Sequence, residues 1–138
     1  MDILQNITIK NFRGFDYFKS EDFNQINLLI GKNNSGKSSL LEALFLLIGM
    51  SNPMLPDSIN RLRGLNIKSA EDFKFLFHKL KLSNIPEFEC SFSNQSSRKL
   101  QLEPIYTQKT KDTNKQKVGD DEFAIDASTA FPSMTGLE

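Results

Sequence analysis

Residues 31–38, Gly-Lys-Asn-Asn-Ser-Gly-Lys-Ser, constrain the fold of this chain more than any other stretch. The two glycines and the Lys-Ser pair follow the spacing G-x-x-x-x-G-K-S. The apolar run Ile26–Ile30 precedes them and is typical of a buried strand. Leucine, phenylalanine and isoleucine then recur at helical spacing between residues 40 and 48. The sequence therefore predicts a strand, a glycine-rich loop and a helix in direct succession.

This succession is typical of a loop that binds nucleotide phosphates. Gly31 and Gly36 allow backbone turns that a Cβ would obstruct, so that the loop N–H groups can converge on an anion. The positive end of the following helix dipole acts on the same anion. We expect Lys37 to reach the β- and γ-phosphates and the Ser38 hydroxyl to ligate Mg²⁺. A glycine-rich turn that binds nothing is the alternative, and the complete spacing with both flanks argues against it.

Composition sets outer limits on the kind of protein. The chain has 138 residues, enough for one domain with a core, and its 17 basic side chains balance 17 acidic ones. A single cysteine, Cys90, excludes an internal disulfide and a multi-cysteine metal site. The N-terminal residues lack a basic segment followed by a long apolar core, and every apolar run is too short to span a bilayer. We therefore expect a cytoplasmic protein without a membrane partner.

Alternating and helical patterns predict the remaining elements of the N-terminal part. Residues 3–12 are predicted to form a half-buried strand, with Ile7 and Ile9 on one face. The chain should turn at Gly14 and form a second strand over 16–19, which gives an antiparallel pair. The helix after the loop is predicted over 37–47, with Gly49 as its stop.

Helices and then strands are predicted over the middle of the chain. A short helix is expected over 59–65, and Ser69 with Asp72 should cap another helix. Four apolar residues follow that second cap at helical spacing: Phe73, Leu76, Phe77 and Leu80. Two strands are predicted over 87–93 and 99–106, then a polar loop over 108–119 and a short strand over 122–125.

The resulting organisation is a single lobe. It consists of strands, loop and helix in 1–50, a helical insertion in 51–85, antiparallel strands in 86–126 and a tail in 127–138. The final Leu-Glu pair of the tail is also typical of residues left by cloning.

The first 48 residues resemble the start of ABC-type ATPases of the SMC/RecF/Rad50 group. The resemblance rests on the amphipathic strand, the turn Asn11-Phe12-Arg13-Gly14-Phe15 and the run from Ile26 to Ala43. The loop variant is closest to bacterial AAA-family ATP-binding proteins, including the OLD-type nucleases. The resemblance implies that the arginine at position 13 contacts phosphate. It also implies a nucleotide site made of these residues: Arg13, Gly31, Asn33, Asn34, Ser35, Gly36, Lys37, Ser38 and Ser39.

The fold implied is an α/β P-loop NTPase lobe, in which antiparallel strands flank one strand–loop–helix unit. The implied cofactors are ATP and Mg²⁺, with Lys37 as the catalytic residue and Ser38 as the metal ligand. The implied partners are a second copy across the nucleotide and, as a candidate, DNA. The expected role of the complete protein is DNA repair, genome maintenance or phage defence.

Two motifs of this group do not occur in the sequence. There is no apolar strand that ends in Asp-Glu and no Leu-Ser-x-Gly stretch, and the acidic residues 120–122 follow a polar loop. We therefore expect the chain to be an N-terminal lobe of a larger ATPase that hydrolyses ATP poorly or not at all alone. The alternatives are a small interaction domain with a structural loop and a small kinase-like enzyme. The strand pair before the loop argues against the kinase.

Overall fold

One antiparallel sheet lies at the centre of the part of the chain that the computed structural model describes, residues 2–105. Its strand order is β2-β1-β3-β4, and each neighbouring pair is antiparallel. The strands have the following bounds: β1 Leu4–Phe12, β2 Phe15–Ser20, β3 Glu87–Phe92 and β4 Ser97–Gln101. The predicted antiparallel pairs on both sides of the loop are confirmed, although β4 begins and ends earlier than predicted.

The core lies against one face of β1 and β3. Ile7 pairs with Cys90 and Ile9 pairs with Phe88, and all four side chains are buried. The ring of Phe12 meets that of Phe88 edge to face, with centroids 4.9 Å apart. The alternation of apolar and polar residues in β1 therefore places its apolar set on a single face, as predicted. Burial raises the pKa of the Cys90 thiol, as expected for a small core residue.

Helix α1, Lys37–Ile48, starts directly after the glycine-rich loop and confirms the predicted helix. Gly49 caps its C-terminal end through an N–H bond to the Phe45 carbonyl. The face that α1 turns to the sheet carries its buried apolar side chains, which are Leu40, Ala43, Leu46 and Leu47. The sheet therefore positions the loop through the helix that follows it.

The helical insertion differs from the prediction in its boundaries and in one helix type. Helix α2 covers Leu55–Leu62 and not 59–65, because Pro56 is tolerated in a first helical turn. Ser69 and Asp72 form the predicted capping box, but the helix that they open is a 3₁₀ helix over Ala70–Leu76.

The predicted apolar stripe of that helix is broken at Phe77. Phe77 has an extended backbone and forms a bridge with Phe12, and a separate short 3₁₀ turn over His78–Leu80 follows. Phe77 and Leu80 therefore do not share a helix with Phe73 and Leu76. The pairing with Phe12 at the end of β1 outweighs the helical pattern at this point.

The strand predicted over residues 26–30 is wrong for this structure. None of these residues joins the sheet, and the side chains of Ile26, Leu28 and Ile30 are 90%, 81% and 83% exposed. A strand needs a neighbour that takes up its backbone hydrogen bonds, and no strand within residues 2–105 lies alongside this segment. The predicted strand–loop–helix unit is therefore confirmed only from the loop onward.

Several predictions lie outside the described residues. These are residue 106 at the end of the strand predicted over 99–106, the loop over 108–119, the strand over 122–125 and the tail over 127–138. Within residues 2–105, no helix is long and apolar enough to cross a membrane.

Candidate nucleotide-binding site

The glycine-rich loop wraps around the side chain of Lys37. The Lys37 Nζ donates to the carbonyl oxygens of Gly31 and Lys32 at 2.8 and 2.7 Å, and lies 3.3 Å from the Ser35 Oγ. A Cβ at Gly31 would lie 2.6 Å from that same Oγ, so a larger residue would displace the Ser35 side chain. The structure thus brings together three of the predicted site residues, with an ammonium group at the centre of the loop.

Gly36 makes the turn from the loop into α1. Its φ is +92°, in the left-handed region that L side chains rarely adopt, and the α1 N–H of Leu40 donates back to its carbonyl at 2.9 Å. Because α1 begins at Lys37, the first N–H groups of the helix have no partner within the helix. An anion in the loop would meet these donors, the helix dipole and the ammonium group together.

The remaining loop residues of the predicted site face solvent. Asn33, Asn34, Ser35 and Ser38 are exposed, and Asn34 also has a positive φ of 64°. Ser39 differs, because it is buried in the first turn of α1 and its Oγ accepts a bond from Arg63 Nη2 at 3.3 Å. Ser38 is therefore free to bind a ligand, whereas the hydroxyl of Ser39 is already held by a protein side chain.

The turn between β1 and β2 packs against the loop. Phe12 and Phe15 pair across this turn, and the ring of Phe15 reaches the backbone of Gly36. This contact places the turn that carries Arg13 next to the start of α1. The two segments that the sequence resemblance joins, 11–15 and 31–39, are neighbours in the structure.

Arg13 is held firmly at both its backbone and its side chain. Its φ of 49° lies in the left-handed region, its N–H donates to the Leu76 carbonyl at 2.9 Å, and its own carbonyl accepts from His78 Nδ1 at 2.9 Å. A non-glycine residue in this region costs about 1 kcal/mol or more, and such residues are frequent at functional sites.

The Arg13 guanidinium is buried beside a carboxylate. Its Nε lies 2.5 Å from Glu42 Oε2, and its two amino groups donate to the Phe75 carbonyl and to Asn60 Oδ1, each at 3.2 Å. Burial lowers the pKa of Arg13, the ion pair with Glu42 opposes this shift and the nearby charge of Arg63 adds to it. Arginine has so high an ordinary pKa that the group stays a cation.

No pattern in the sequence indicates the partners of Arg13. Glu42 also pairs with Arg63, whose Nε and Nη2 reach its two carboxylate oxygens at 2.6 and 3.2 Å. Asn60 is fully buried, and its Nδ2 has no hydrogen-bond partner. No local pattern connects these residues, because Arg63 follows Glu42 by 21 positions and Asn60 follows Arg13 by 47.

Taken together, the site offers cations and backbone donors to an anionic ligand. Lys37 lies within the loop, and the guanidinium groups of Arg13 and Arg63 both contact Glu42 of α1. Such a set of groups favours a polyphosphate and offers no cluster of acidic, histidine or cysteine ligands for a metal within residues 2–105.

Comparison with known proteins supports the resemblance. The family model of the AAA ATPase domain matches residues 1–131. An ATP/GTP phosphatase of Helicobacter pylori is 47% identical over 49 residues, which cover 36% of this chain and 13% of that protein. The DNA replication and repair protein RecF of Francisella tularensis is 31% identical over 129 residues, which cover 88% of this chain and 35% of RecF. The chain thus spans at most 35% of the length of these relatives.

The predicted relation to RecF-type ATPases is confirmed by these matches, and the closer relation to OLD-type nucleases stays a prediction. With a family model that spans nearly all of its residues, the chain belongs to the AAA ATPase domain family.

Proposed function

We propose that this chain is the ATP-binding part of an ATPase that acts in DNA repair, genome maintenance or phage defence. The observation that carries the proposal is the Lys37 ammonium, which is held inside the glycine-rich loop at the N-terminal end of α1. A triphosphate in this loop would replace intraloop contacts of Lys37 with charge-assisted bonds, which are stronger. Arg13 would supply a second cation from the neighbouring turn.

Mg²⁺ is the metal that we expect with ATP. The exposed hydroxyl of Ser38 follows Lys37 directly in α1 and fits the role of its protein ligand. When bound, the metal would neutralise charge on the β- and γ-phosphates. The chain's own contribution is to hold the phosphates with Lys37, the loop N–H groups and Arg13.

ATP hydrolysis would need groups that this sequence does not contain. A carboxylate after an apolar strand and a Leu-Ser-x-Gly stretch are both missing from the 138 residues. In the complete protein, Lys37 would stabilise charge on the transferred γ-phosphoryl group, and a residue from elsewhere would position the attacking water. The chain alone should therefore bind ATP more readily than it turns ATP over.

In such a complete domain, residues 26–30 and the outer face of α1 would be covered by other parts of the protein. The segment exposes Ile26, Leu28 and Ile30, and α1 exposes Leu41 and Phe45. Burying these apolar side chains would be favourable, at roughly 25 cal/mol for each Å² removed from water. We propose that further strands of the ATPase domain pair with residues 26–30 and cover this surface.

Two macromolecular partners belong to the proposal. A second copy would close over the exposed loop and complete the nucleotide site. DNA is the other, because the RecF relative is a DNA replication and repair protein and because Lys74, Lys79 and Lys81 lie in a stretch, 73–86, without an acidic residue. Lysines in such a stretch are suited to phosphate contacts.

Isothermal titration calorimetry with MgATP tests the proposed function. Lys37→Ala should weaken binding by more than about tenfold, which corresponds to ~1.4 kcal/mol. Lys32→Ala is the matched control, because Lys32 lies in the same loop and contacts Lys37 through its backbone carbonyl. Equal binding by the wild type and by Lys37→Ala would refute the proposal.

The alternative function is that of a small interaction domain whose loop is structural. The network of bonds from Lys37 to its own loop gives this alternative its physical basis, since the ammonium group already has partners. In that case the wild-type chain would not bind MgATP, while Lys37→Ala would still lower the free energy of unfolding. The same two proteins therefore distinguish the two functions.

A further inference from the structure

A short turn in the helical insertion, residues 78–81, has two adjacent residues with a strained backbone. Lys79 and Leu80 have φ angles of 55° and 58°, in the left-handed region that L side chains rarely adopt. Lys79 and Lys81 are exposed, and Leu80 is 52% exposed, so burial of these side chains does not account for the strain. Backbone strain of this kind is frequent at functional sites, which makes the turn a candidate for one.

Hydrogen bonds fix the turn in the fold. The His78 Nδ1 donates to the Arg13 carbonyl at 2.9 Å, and the Lys81 N–H donates to the His78 carbonyl at 3.3 Å. The Nδ2 of Asn84 donates to the same His78 carbonyl at 2.8 Å, and the Asn84 N–H donates to the Lys81 carbonyl at 2.9 Å. The backbone that carries the two lysines is therefore held on both sides of Lys79.

The charges of Lys79 and Lys81 are not compensated by acidic side chains. Within residues 2–105, neither lysine takes part in an ion pair or a side-chain hydrogen bond. Lys10, Lys19 and Lys99, in contrast, each pair with a glutamate. No acidic residue occurs in the stretch 73–86. In the described part of the chain, the turn thus presents two positive charges without an acidic partner.

Lys74, in the 3₁₀ helix before the turn, differs from these two lysines. The pKa of the Asp72 carboxyl is lowered first by backbone N–H bonds and also by the nearby charge of Lys74. The charge of Lys74 therefore already acts on a carboxylate of the chain. The free positive charges of this region are those at positions 79 and 81.

The spacing of Lys79 and Lys81 suits neighbouring phosphate groups. They are two residues apart, so their Cα atoms lie no more than about 7.6 Å from each other. A DNA strand carries one negative charge for about every 3.4 Å of helix axis. Because a lysine is a point charge on a flexible stem, both ammonium groups can reach phosphates of one strand.

We propose that the turn 78–81 is a contact site for the phosphate backbone of duplex DNA, with Lys79 and Lys81 as its two phosphate-binding residues; this inference rests on the proposed function, which includes DNA as a partner. The fixed backbone of the turn holds the two charges side by side. Phosphate contacts carry no sequence information, so duplexes of different sequence should bind alike at this site. Lys74 lies outside the site.

Fluorescence anisotropy with a labelled DNA duplex of mixed sequence and the 138-residue chain tests this site. Lys79→Ala/Lys81→Ala should weaken binding by at least about tenfold at about 50 mM salt. The slope of log K against log salt concentration should also become shallower by about 1.8, since each lost phosphate contact contributes about 0.9. Lys79→Arg/Lys81→Arg keeps both charges and should bind as the wild type does.

Lys19→Ala/Lys99→Ala is the matched control. It removes the same number of charges from the surface, but both lysines pair with glutamates in the wild type. Charges away from the contact are largely screened by salt, so this variant should bind within about twofold of wild type.

Each other outcome overturns the inference. Equal weakening by the two alanine double variants would mean that only the overall charge matters. Unchanged binding by Lys79→Ala/Lys81→Ala, or a failure of the arginine variant to bind, would refute the role of the two lysines. Competition by polyglutamate as strong as that by unlabelled duplex would indicate an acidic protein partner instead. If the wild type does not bind DNA, the site is refuted, while calorimetry with MgATP and Lys37→Ala still tests ATP binding separately.

Discussion

The ring of Phe15 lies so close to Gly36 that a Cβ on this glycine would come within 2.8 Å of the Phe15 Cζ. Phe15 begins β2, and Gly36 is the last residue before α1. The contact therefore joins the hairpin turn to the glycine-rich loop. It makes Gly36 sensitive to substitution for two separate reasons, its positive φ and the space that Phe15 occupies.

Gly36→Ala should lower the free energy of unfolding and weaken MgATP binding. The left-handed backbone alone costs an L residue about 1–2 kcal/mol, and displacement of the Phe15 ring adds to this. Gly64→Ala is the matched control, because Gly64 has a φ of +74° and no atom within 4 Å of its Cβ position. Urea unfolding of both variants should show a larger loss for Gly36→Ala. Equal losses would mean that displacing the Phe15 ring does not change the free energy of unfolding.

Local patterns in the sequence predict much of this fold. The alternation in β1, the turn at Gly14 and the apolar residues of α1 need only neighbours along the chain, and all three predictions are confirmed. The capping box of Ser69 and Asp72 is equally local. Such elements can be predicted because periodicity and capping act within a few residues.

Long-range contacts are the part that could not be predicted. The pairing of Glu42 with both Arg13 and Arg63 depends on three segments that meet only in the folded chain. The break of the helical pattern at Phe77 depends on the distant Phe12. Residues 26–30 have the composition of a buried strand, but composition does not show whether a neighbouring strand is present to pair with them.

Arg98→Ala should destabilise the contact between β4 and α1. The Arg98 Nη1 donates to the carbonyls of Leu47 and Ile48 at the C-terminal end of α1, at 3.3 and 3.1 Å, where a cation also complements the helix dipole. We expect a loss of about 1–2 kcal/mol in the free energy of unfolding. Lys99→Ala, which removes an exposed pair with Glu89 on the same strand, should cost less. A larger effect at Lys99 would contradict this assignment.

Asp72→Ala should remove a stabilising contribution that depends on pH. Backbone N–H groups of Lys68 and Ser69 donate to the Asp72 carboxylate and hold its pKa below the ordinary value of 3.8. Because the folded-state pKa is the lower one, the contribution is complete above the unfolded value and is lost as pH falls through the folded value.

Urea unfolding at about pH 6 and about pH 3 measures this effect. The difference in stability between the wild type and Asp72→Ala should be clear at the higher pH and smaller at the lower one. Glu71→Ala, in the same 3₁₀ helix, is the control variant. A difference that is the same at both pH values would argue against a role for the charge of Asp72.

Leu28→Ser and Ile30→Ser should leave the stability of this chain almost unchanged. Both side chains are exposed, so their replacement should alter the free energy of unfolding by less than about 0.5 kcal/mol. Ile9→Ser is the contrasting variant, because Ile9 is fully buried and its loss should cost more than ~2 kcal/mol. If these exposed residues pair with a further strand in the complete domain, the unpaired segment should promote self-association of this chain. Sedimentation should then show less self-association in the two serine variants than in the wild type. A loss at Leu28 as large as that at Ile9 would mean that residues 26–30 are packed within the chain itself, and that no further strand is needed to cover them.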